Sequence, residues 1–268
     1  MAVFSFALNS FEIMQTRSLH KDTDFVSFSL VVNPQGGKGS PQTLKKSMGD
    51  VNNGGFHLGM SFANVAVNPT DTVLLNYLIL NSGHKSPSEV ELALESAGTK
   101  MLMEGADELS MYLTGLGVPD TKAVLEAIAK FVSDEIIAVL NANCDGWVAG
   151  GQYSFTYDEL VAKLAPGPFH QNLKFLGTNS PQGCGSNSVY YVDWQMIEIG
   201  SAANRTVPNL FELPLLKAEQ LLQATGLVPK VTGTTTPQSW VVTQSPVAGQ
   251  IVDVGSSVTL TLRVGSLP

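Results

Sequence analysis

The amino-acid sequence predicts a mainly β or α+β protein, in which a β-sandwich-like domain with a helical insert precedes a small α+β module. Apolar and polar residues alternate in segments before residue 82 and again after residue 144, as in strands with one buried face. Between them, over about 86–140, the apolar spacing becomes helical. Strands, then helices, then strands favour a sandwich over a doubly wound parallel sheet.

The first strand carries an irregularity in its pattern. Phe4, Phe6 and Leu8 fall on one face, and the apolar positions then shift to Phe11 and Ile13. The shift predicts a bulge or a bend across residues 9–10. Three more strands follow, and the last of them is apolar at nearly every position, as in a strand covered on both faces: Val26–Val32, Phe56–Phe62 and Val73–Leu80.

The helical insert begins with a capping signal. Ser86, Pro87 and Glu89 combine an N-cap serine, proline at the first helical position and glutamate three residues after the cap. The first helix is predicted to pass through 92–112, with a break near Gly98 or Gly105. The second begins after residue 120 and places six apolar residues on one face: Leu125, Ile128, Val132, Ile136, Val139 and Leu140.

The chain then returns to strands. Tyr153 and Phe155 belong to one strand, Thr156–Glu159 opens a short helix, and 173–176 resumes the sheet. A last long strand places four large side chains on one face: Tyr190, Val192, Trp194 and Met196. Residues 201–204 have the composition of a linker, so we predict one domain over 1–203 and a second over 206–268.

The second domain has one helix and a short sheet. Leu216, Leu221 and Leu222 have helical spacing, and Gly226 is a typical C-terminal helix stop. Turns follow at 245–246 and 248–249, and Val258, Leu260 and Leu262 alternate with Ser and Thr in a final strand.

This ordered set resembles a PASTA domain. The similarity rests on Val207-Pro208-Asn209-Leu210, the helix that ends in Gly226-Leu227, the turn Gln244–Gly249 and the strand Gly255–Thr261. In that family the module is an extracytoplasmic α+β unit; some copies bind muropeptides or β-lactams and others act as spacers. The kinase and transpeptidase signatures of the enzymes that gave the family its name do not occur in the sequence. Pro229–Gly233 is only superficially like the transpeptidase motif K-T-G.

Composition disfavours some partners. The chain has 15 basic and 23 acidic residues, a net charge of −8, and no basic cluster, so nucleic acid is not expected as a partner. Low charge content and abundant small polar residues favour an exported, β-rich protein.

No apolar run reaches the roughly twenty residues of a membrane span, so no integral membrane segment is expected. The first residues have the pattern of a strand, with no visible signal peptide, which leaves a mature start, another export route or an internal location open.

The two cysteines, Cys144 and Cys184, lie in turn-rich segments and are most simply a disulfide. The alternative is a nucleophilic cysteine that acts with His170. His20, Asp22 and Asp24 could hold a cation, although a solvated turn is the preferred interpretation. The 36–40 segment lacks the spacing of a phosphate-binding loop and is interpreted as a flexible hairpin loop. No cofactor or metal motif is evident.

The helical insert allows two interpretations. A mobile amphipathic hairpin would suit a membrane-active protein, whereas two helices packed on a sheet face are the usual arrangement in soluble domains. Glu104, Asp107, Glu108, Asp134 and Glu135 make the insert acidic, which disfavours anionic lipid. We prefer the packed helices.

Together these features favour a non-enzymatic, exported or surface-associated bacterial binding protein, whose C-terminal module contacts peptidoglycan fragments or another protein. Weak binding by one module would be strengthened by homo-oligomerisation. The alternative is a secreted toxin-like protein or effector that binds a target-cell glycan or membrane, with the module used for packing or assembly. A cell-wall enzyme is the third possibility.

Overall fold

A computed structural model describes residues 1–18, 21–105, 121–140, 145–177, 188–199 and 204–265. Its first part is a sandwich of two antiparallel four-stranded sheets. The strands, in chain order, are β1 (Ala2–Gln15), β2 (Asp22–Asn33), β3 (Gln42–Val51), β4 (Gly54–Val67), β5 (Thr72–Asn81), β6 (Gly146–Thr156), β7 (Phe169–Leu176) and β8 (Val189–Ile199).

The first sheet has the strand order β4-β1-β8-β7 and the second has the order β3-β2-β5-β6. Aromatic side chains join them across the core: the ring centroids of Phe28 and Phe62 are 5.1 Å apart, and those of Tyr153 and Trp194 are 4.5 Å apart. The predicted fold class, mainly β with a sandwich, is therefore confirmed.

The predicted irregularity in β1 is also confirmed. The pairing register shifts between Leu8 and Ser10 against both β4 and β8. The shift keeps Phe6, Leu8, Phe11 and Ile13 buried in the core, although their spacing is not strictly two. The strand covered on both faces is confirmed too, since every residue of β5 from Val73 to Asn81 is buried.

Strand β3 was absent from the sequence-based prediction. It is the edge strand of the second sheet, paired with β2 alone, and most of its side chains are exposed or half-exposed. An edge strand of this kind has no alternating apolar face to reveal it. The 34–41 segment connects β2 to β3 as an antiparallel hairpin loop, as predicted.

The helices of the sandwich domain are α1 (Pro87–Glu104), α2 (Thr121–Phe131), α3 (Ser133–Ile136), followed by a 3₁₀ turn at Ile137–Val139, and α4 (Tyr157–Leu164). Ser86 and Glu89 form the predicted capping box of α1, and Thr156 and Glu159 form another at α4. Helix α1 ends at Gly105, and its continuation past that point lies outside the described residues.

Helices α1 and α2 pack on the sandwich. Helix α1 contacts β2, β3 and β5, and the amide of Asn76 donates to the Gly98 carbonyl at 2.9 Å. Helix α2 contacts β6 and β7. For the part of the insert that the structure describes, the preferred interpretation, two helices packed on a sheet face, is confirmed. None of the described helices is long and apolar enough to cross a membrane.

The C-terminal module contains β9 (Asn204–Thr206), α5 (Leu215–Ala224), β10 (Val228–Thr232), β11 (Ser239–Ser245), β12 (Ile251–Asp253) and β13 (Ser257–Val264). Strand β13 lies between β10, which is parallel to it, and β11, which is antiparallel, while β9 pairs with β12. The predicted helix and final strand are both present.

The module has its own hydrophobic core, formed by nine buried residues: Val207, Leu210, Leu215, Ala218, Leu222, Leu227, Val241, Val258 and Leu260. The sequence pattern predicts Val242 as a member of this core, but Val241 takes that place, because a register shift between Val241 and Thr243 changes which side chain of β11 points inward. The predicted linker at 201–204 lies largely outside the described residues.

Candidate functional site

Helix α5 of the module has two buried sides. Leu215, Ala218 and Leu222 belong to the module core, whereas Glu219 and Gln223 are 1% and 0% exposed although they are polar. The two polar residues are four positions apart, so they lie on one face of the helix. That face is turned towards β4 and β7 of the sandwich, where both residues find histidine partners.

One histidine–carboxylate pair joins the module to the sandwich, and a second pair lies within the sandwich at the same contact. His57 of β4 faces Glu219 of α5 through Nδ1, and His170 of β7 pairs with Asp193 of β8 through Nε2. Gln223 also contacts His170. The contact between the domains is therefore built substantially from polar groups, which must satisfy one another because buried polar groups are costly when unpaired.

The two histidines have opposite electrostatic environments. Burial lowers the pKa of His57 to about 4, and the charge of Lys46 acts in the same direction. His57 is therefore neutral at pH 7, and its Nδ1–H can donate to the Glu219 carboxylate. The hydrogen bond to Asp193 instead raises the pKa of His170, although partial burial opposes this rise.

Close approaches accompany these polar contacts. A Cβ on Gly55 would lie 2.8 Å from Cδ2 of Leu216, so β4 and α5 touch where no side chain intervenes. A Cβ on Gly226, whose φ is +72°, would lie 2.4 Å from Cγ of Pro168. The helix stop of the module is thus also a point where the module meets the sandwich.

A cleft of about 450 Å³ opens beside this contact, between β10 of the module and the β3–β4 edge of the sandwich. Strand β10 pairs only with β13, and β4 pairs only with β1, among the strands that the structure describes. Each therefore presents a sheet edge to the cleft. Backbone groups at a sheet edge can pair with an extended peptide.

The charged residues that line the cleft are both lysines, Lys46 from β3 and Lys230 from β10. Lys46 donates to the carbonyls of Leu58 at 2.9 Å and His57 at 3.2 Å. Burial lowers the pKa of Lys46. Because an ammonium group has three N–H donors, these two bonds leave a third for a ligand. In a chain of net charge −8, this lining is locally cationic.

A second cleft, of about 680 Å³, lies further along the open side of the sandwich, where β3 and β4 diverge. Its lining contains small polar residues such as Ser40, Thr43 and Asn64 and no charged side chain. It offers hydrogen bonds but no charge by which to select a ligand.

Asp22 and Asp24 do not form a solvated turn, so the preferred sequence interpretation was wrong. Both are fully buried in β2. Asp22 accepts from the N–H of Arg17 at 2.6 Å and of Ser18 at 2.7 Å, and the Tyr190 hydroxyl donates to Asp22 at 2.7 Å and to Asp24 at 2.8 Å. The acidic pattern resembled a surface turn because Tyr190, the partner that the two carboxylates share, lies far away in sequence.

The described residues around Asp22 and Asp24 do not provide a set of metal ligands. His20 lies outside them. Across the described ranges, no group of three or more His, Cys, Asp and Glu side chains could hold a metal ion. Burial raises the pKa of Asp24 well above its usual range, and the neighbouring charge of Asp22 contributes in the same direction.

Cys144 and Cys184 lie outside the described residues, so their disulfide stays a prediction. Described neighbours of the two segments converge on one buried side chain: a Cβ on Gly146 would lie 2.7 Å from Nη2 of Arg17, and one on Gly177 would lie 3.1 Å from Nη1. Thiol titration of the denatured, unreduced protein decides between a disulfide and two free thiols.

The alternative, a nucleophilic cysteine that acts with His170, stays a hypothesis because neither cysteine is among the described residues. His170 itself is engaged by Asp193 and Gln223 at the contact with the module. Its described partners therefore give it a role in holding the domains together.

Sequence reasoning missed the residues of the cleft. Lys46 was overlooked because β3 was not predicted, and Lys230 because it lay in the segment compared with the transpeptidase motif. Glu219 and Gln223 did leave a signal, since two polar residues spaced by four border the apolar stripe of a short helix.

No curated protein and no solved structure matches the chain. One family model does match, and its span coincides with the separate core and the sheet that border the cleft. Residues 205–263 of the chain form a PASTA domain, which points in general terms to binding of cell-wall material.

Proposed function

We propose that this chain is a non-enzymatic, exported or surface-associated bacterial protein that binds cell-wall material through its C-terminal module. The observation that carries the proposal is the PASTA match over 205–263. PASTA domains are typically extracellular and bind peptidoglycan or β-lactam-like ligands. The cleft beside β10 supplies a surface of suitable size on that module.

The absence of catalysis is part of the proposal. The histidine–carboxylate pairs, which are the groups most suited to acid–base chemistry, are engaged at the contact between the domains. Function in this interpretation comes from recognition, and a single module presents a small surface. Tight attachment to a polymer would then come from several copies acting together, for example in a homo-oligomer.

Co-sedimentation with purified, insoluble peptidoglycan tests the proposal. The full-length protein should pellet with the polymer, and a truncated form ending at residue 204 should stay in the supernatant. Circular dichroism must first show that the truncated form keeps its β-sheet signal. Equal pelleting of both forms would move binding to the sandwich, and failure of the full-length protein to pellet would refute the proposal.

A further inference from the structure

We propose that the cleft between β10 and the β3–β4 edge binds the peptide part of peptidoglycan, as an extended chain whose carboxylates meet Lys46 and Lys230. This inference rests on the proposed function and deepens it, because it assigns the site and the part of the polymer that is recognised. It also makes the site a composite one, to which both domains contribute.

The shape of the cleft favours an extended peptide. One wall is the edge of the module sheet at β10, and the other belongs to the edge of the sandwich at β4. The edge of β10 presents backbone donors and acceptors that can match those of another extended chain, whereas on β4 the carbonyls of His57 and Leu58 already accept from Lys46. A sugar ring has no such row of groups, so the edge of β10 favours the peptide over the glycan.

The charge of the cleft favours a carboxylate. Lys46 and Lys230 come from opposite walls, and no acidic side chain is among the residues that line the space. Glu219, the partner of the lining residue His57, faces that histidine at the domain contact and does not itself line the cleft. Lysine ammonium groups bind carboxylates through charge-assisted hydrogen bonds, which are stronger than neutral ones. A peptide with free carboxylates therefore complements both walls.

The contact between the domains gives the cleft its form. His57 both lines the cleft and pairs with Glu219, so the group that holds α5 against β4 also borders the ligand space. If the module were separated from the sandwich, Lys46 and Lys230 would no longer face a common space. The proposed site consequently requires the docked arrangement, whereas a site on the module alone would not.

The test uses the full-length protein and soluble disaccharide-peptide fragments of peptidoglycan, titrated by calorimetry. Replacing both lysines, in K46Q/K230Q, should raise Kd by at least about tenfold, because each removes a charge-assisted hydrogen bond. The matched control is K45Q/K217Q. Lys45 is the neighbour of Lys46 on β3, Lys217 is exposed on the module, and neither lines the cleft. The control changes the net charge equally and should keep the wild-type Kd.

Because Lys46 also bonds to two backbone carbonyls, the single variant K230Q provides a second measurement that leaves those bonds in place. It should weaken binding about fivefold with an unchanged melting temperature. The peptide amidated at its carboxyl groups and the disaccharide without peptide should each bind at least about tenfold more weakly than the complete fragment. Binding should also weaken as salt rises.

The outcomes separate this inference from the proposed function. If K46Q/K230Q binds the fragments as tightly as wild type while both pellet with insoluble peptidoglycan, the cleft assignment is overturned and the proposed function stands. Undiminished binding of the disaccharide alone would overturn peptide recognition. If wild type neither binds the fragments nor pellets, both proposals fail together.

Discussion

Two neighbouring aspartates in β2 show how the same residue type can have different energetic roles. The Asp22 carboxylate accepts from two backbone N–H groups and the Tyr190 hydroxyl, whereas Asp24 accepts from the hydroxyl alone among its recorded hydrogen bonds. Asp24 is buried next to a like charge, which raises its pKa. One carboxylate therefore organises the backbone, and the other resists ionisation.

Asparagine substitutions should separate these roles. Each carboxylate oxygen of Asp22 accepts from one backbone N–H, so D22N places an amide NH₂ opposite one of these donors, and we expect it to reduce the free energy of unfolding by about 2 kcal/mol. D24N keeps the size of the side chain at a position that already disfavours the charged form, so its effect should lie within about 0.5 kcal/mol of zero. Urea denaturation at pH 7 measures both. Equal losses in the two variants would contradict the distinction.

His57 should make the stability of the protein depend on pH. Its pKa of about 4 lies below the ordinary value of 6.5, so the unfolded chain binds a proton more readily than the folded one. The stability that neutral His57 contributes to the folded protein is complete above about pH 6.5 and is lost as the pH falls towards 4. His170 acts in the opposite direction because its pKa is raised, so its contribution is present below about pH 6.5 and fades as the pH rises.

The comparison of wild type with H57Q isolates the first effect. Glutamine cannot take up the proton, so the stability advantage of wild type over H57Q should shrink by about 2 kcal/mol between pH 7 and pH 5. Denaturant unfolding at both values gives the difference. H84Q, at a histidine whose side chain is 59% exposed, serves as the control. A wild-type advantage that grows at pH 5 would contradict the low pKa of His57.

At the scale of elements, the sequence predicted structure best where an element's own residues determine where it begins or where its pattern shifts. The capping residues at Ser86 and Thr156 located two helix starts, and the shifted apolar positions in β1 located its bulge. These features are local, so the sequence contains them in full.

Elements whose environment is set by distant residues were harder to predict. Strand β3 has a polar pattern because it lies at an edge, and the buried side of α5 at Glu219 exists only because β4 lies against it. The cleft combines both cases, since Lys46 comes from an edge strand and Lys230 from another domain. A periodic pattern records burial within an element and not the identity of the neighbour that causes it.

The separate core of the module predicts that it folds alone. A fragment that begins at Arg205 contains all nine buried residues of that core and should unfold cooperatively in urea. In this fragment Glu219 would be exposed to water. E219A should therefore cost less than about 0.5 kcal/mol there, but about 2 kcal/mol in the full-length protein, where it leaves buried His57 without its carboxylate.

The exposed neighbour Gln220 provides the control, because Q220A should have little effect in either context. Unfolding of both proteins in urea gives the four comparisons. An E219A effect of the same size in the fragment and in the full-length protein would show that the residue stabilises the module itself, and not its contact with the sandwich.

At the scale of the whole molecule, the two domains differ in how they are held together and how they meet. Each has its own apolar core, whereas their contact pairs His57 with Glu219 and places the buried Gln223 against His170. Polar contacts depend on geometry more strictly than apolar ones do, because each donor needs its acceptor. The contact therefore specifies one docked arrangement, and this arrangement places the two cleft lysines on facing walls.

Hydrogen–deuterium exchange of the full-length protein, with and without soluble peptidoglycan fragments, tests the central claim most directly. Binding in the cleft should slow amide exchange in β10 and along the 57–61 segment of β4, while α1 and α2, which do not line the cleft, keep their free-state rates. The lysine control K45Q/K217Q should show the same protection, and K46Q/K230Q should lose it at equal ligand concentration. Protection confined to the sandwich away from β4, or no protection at saturating fragment, would contradict the account.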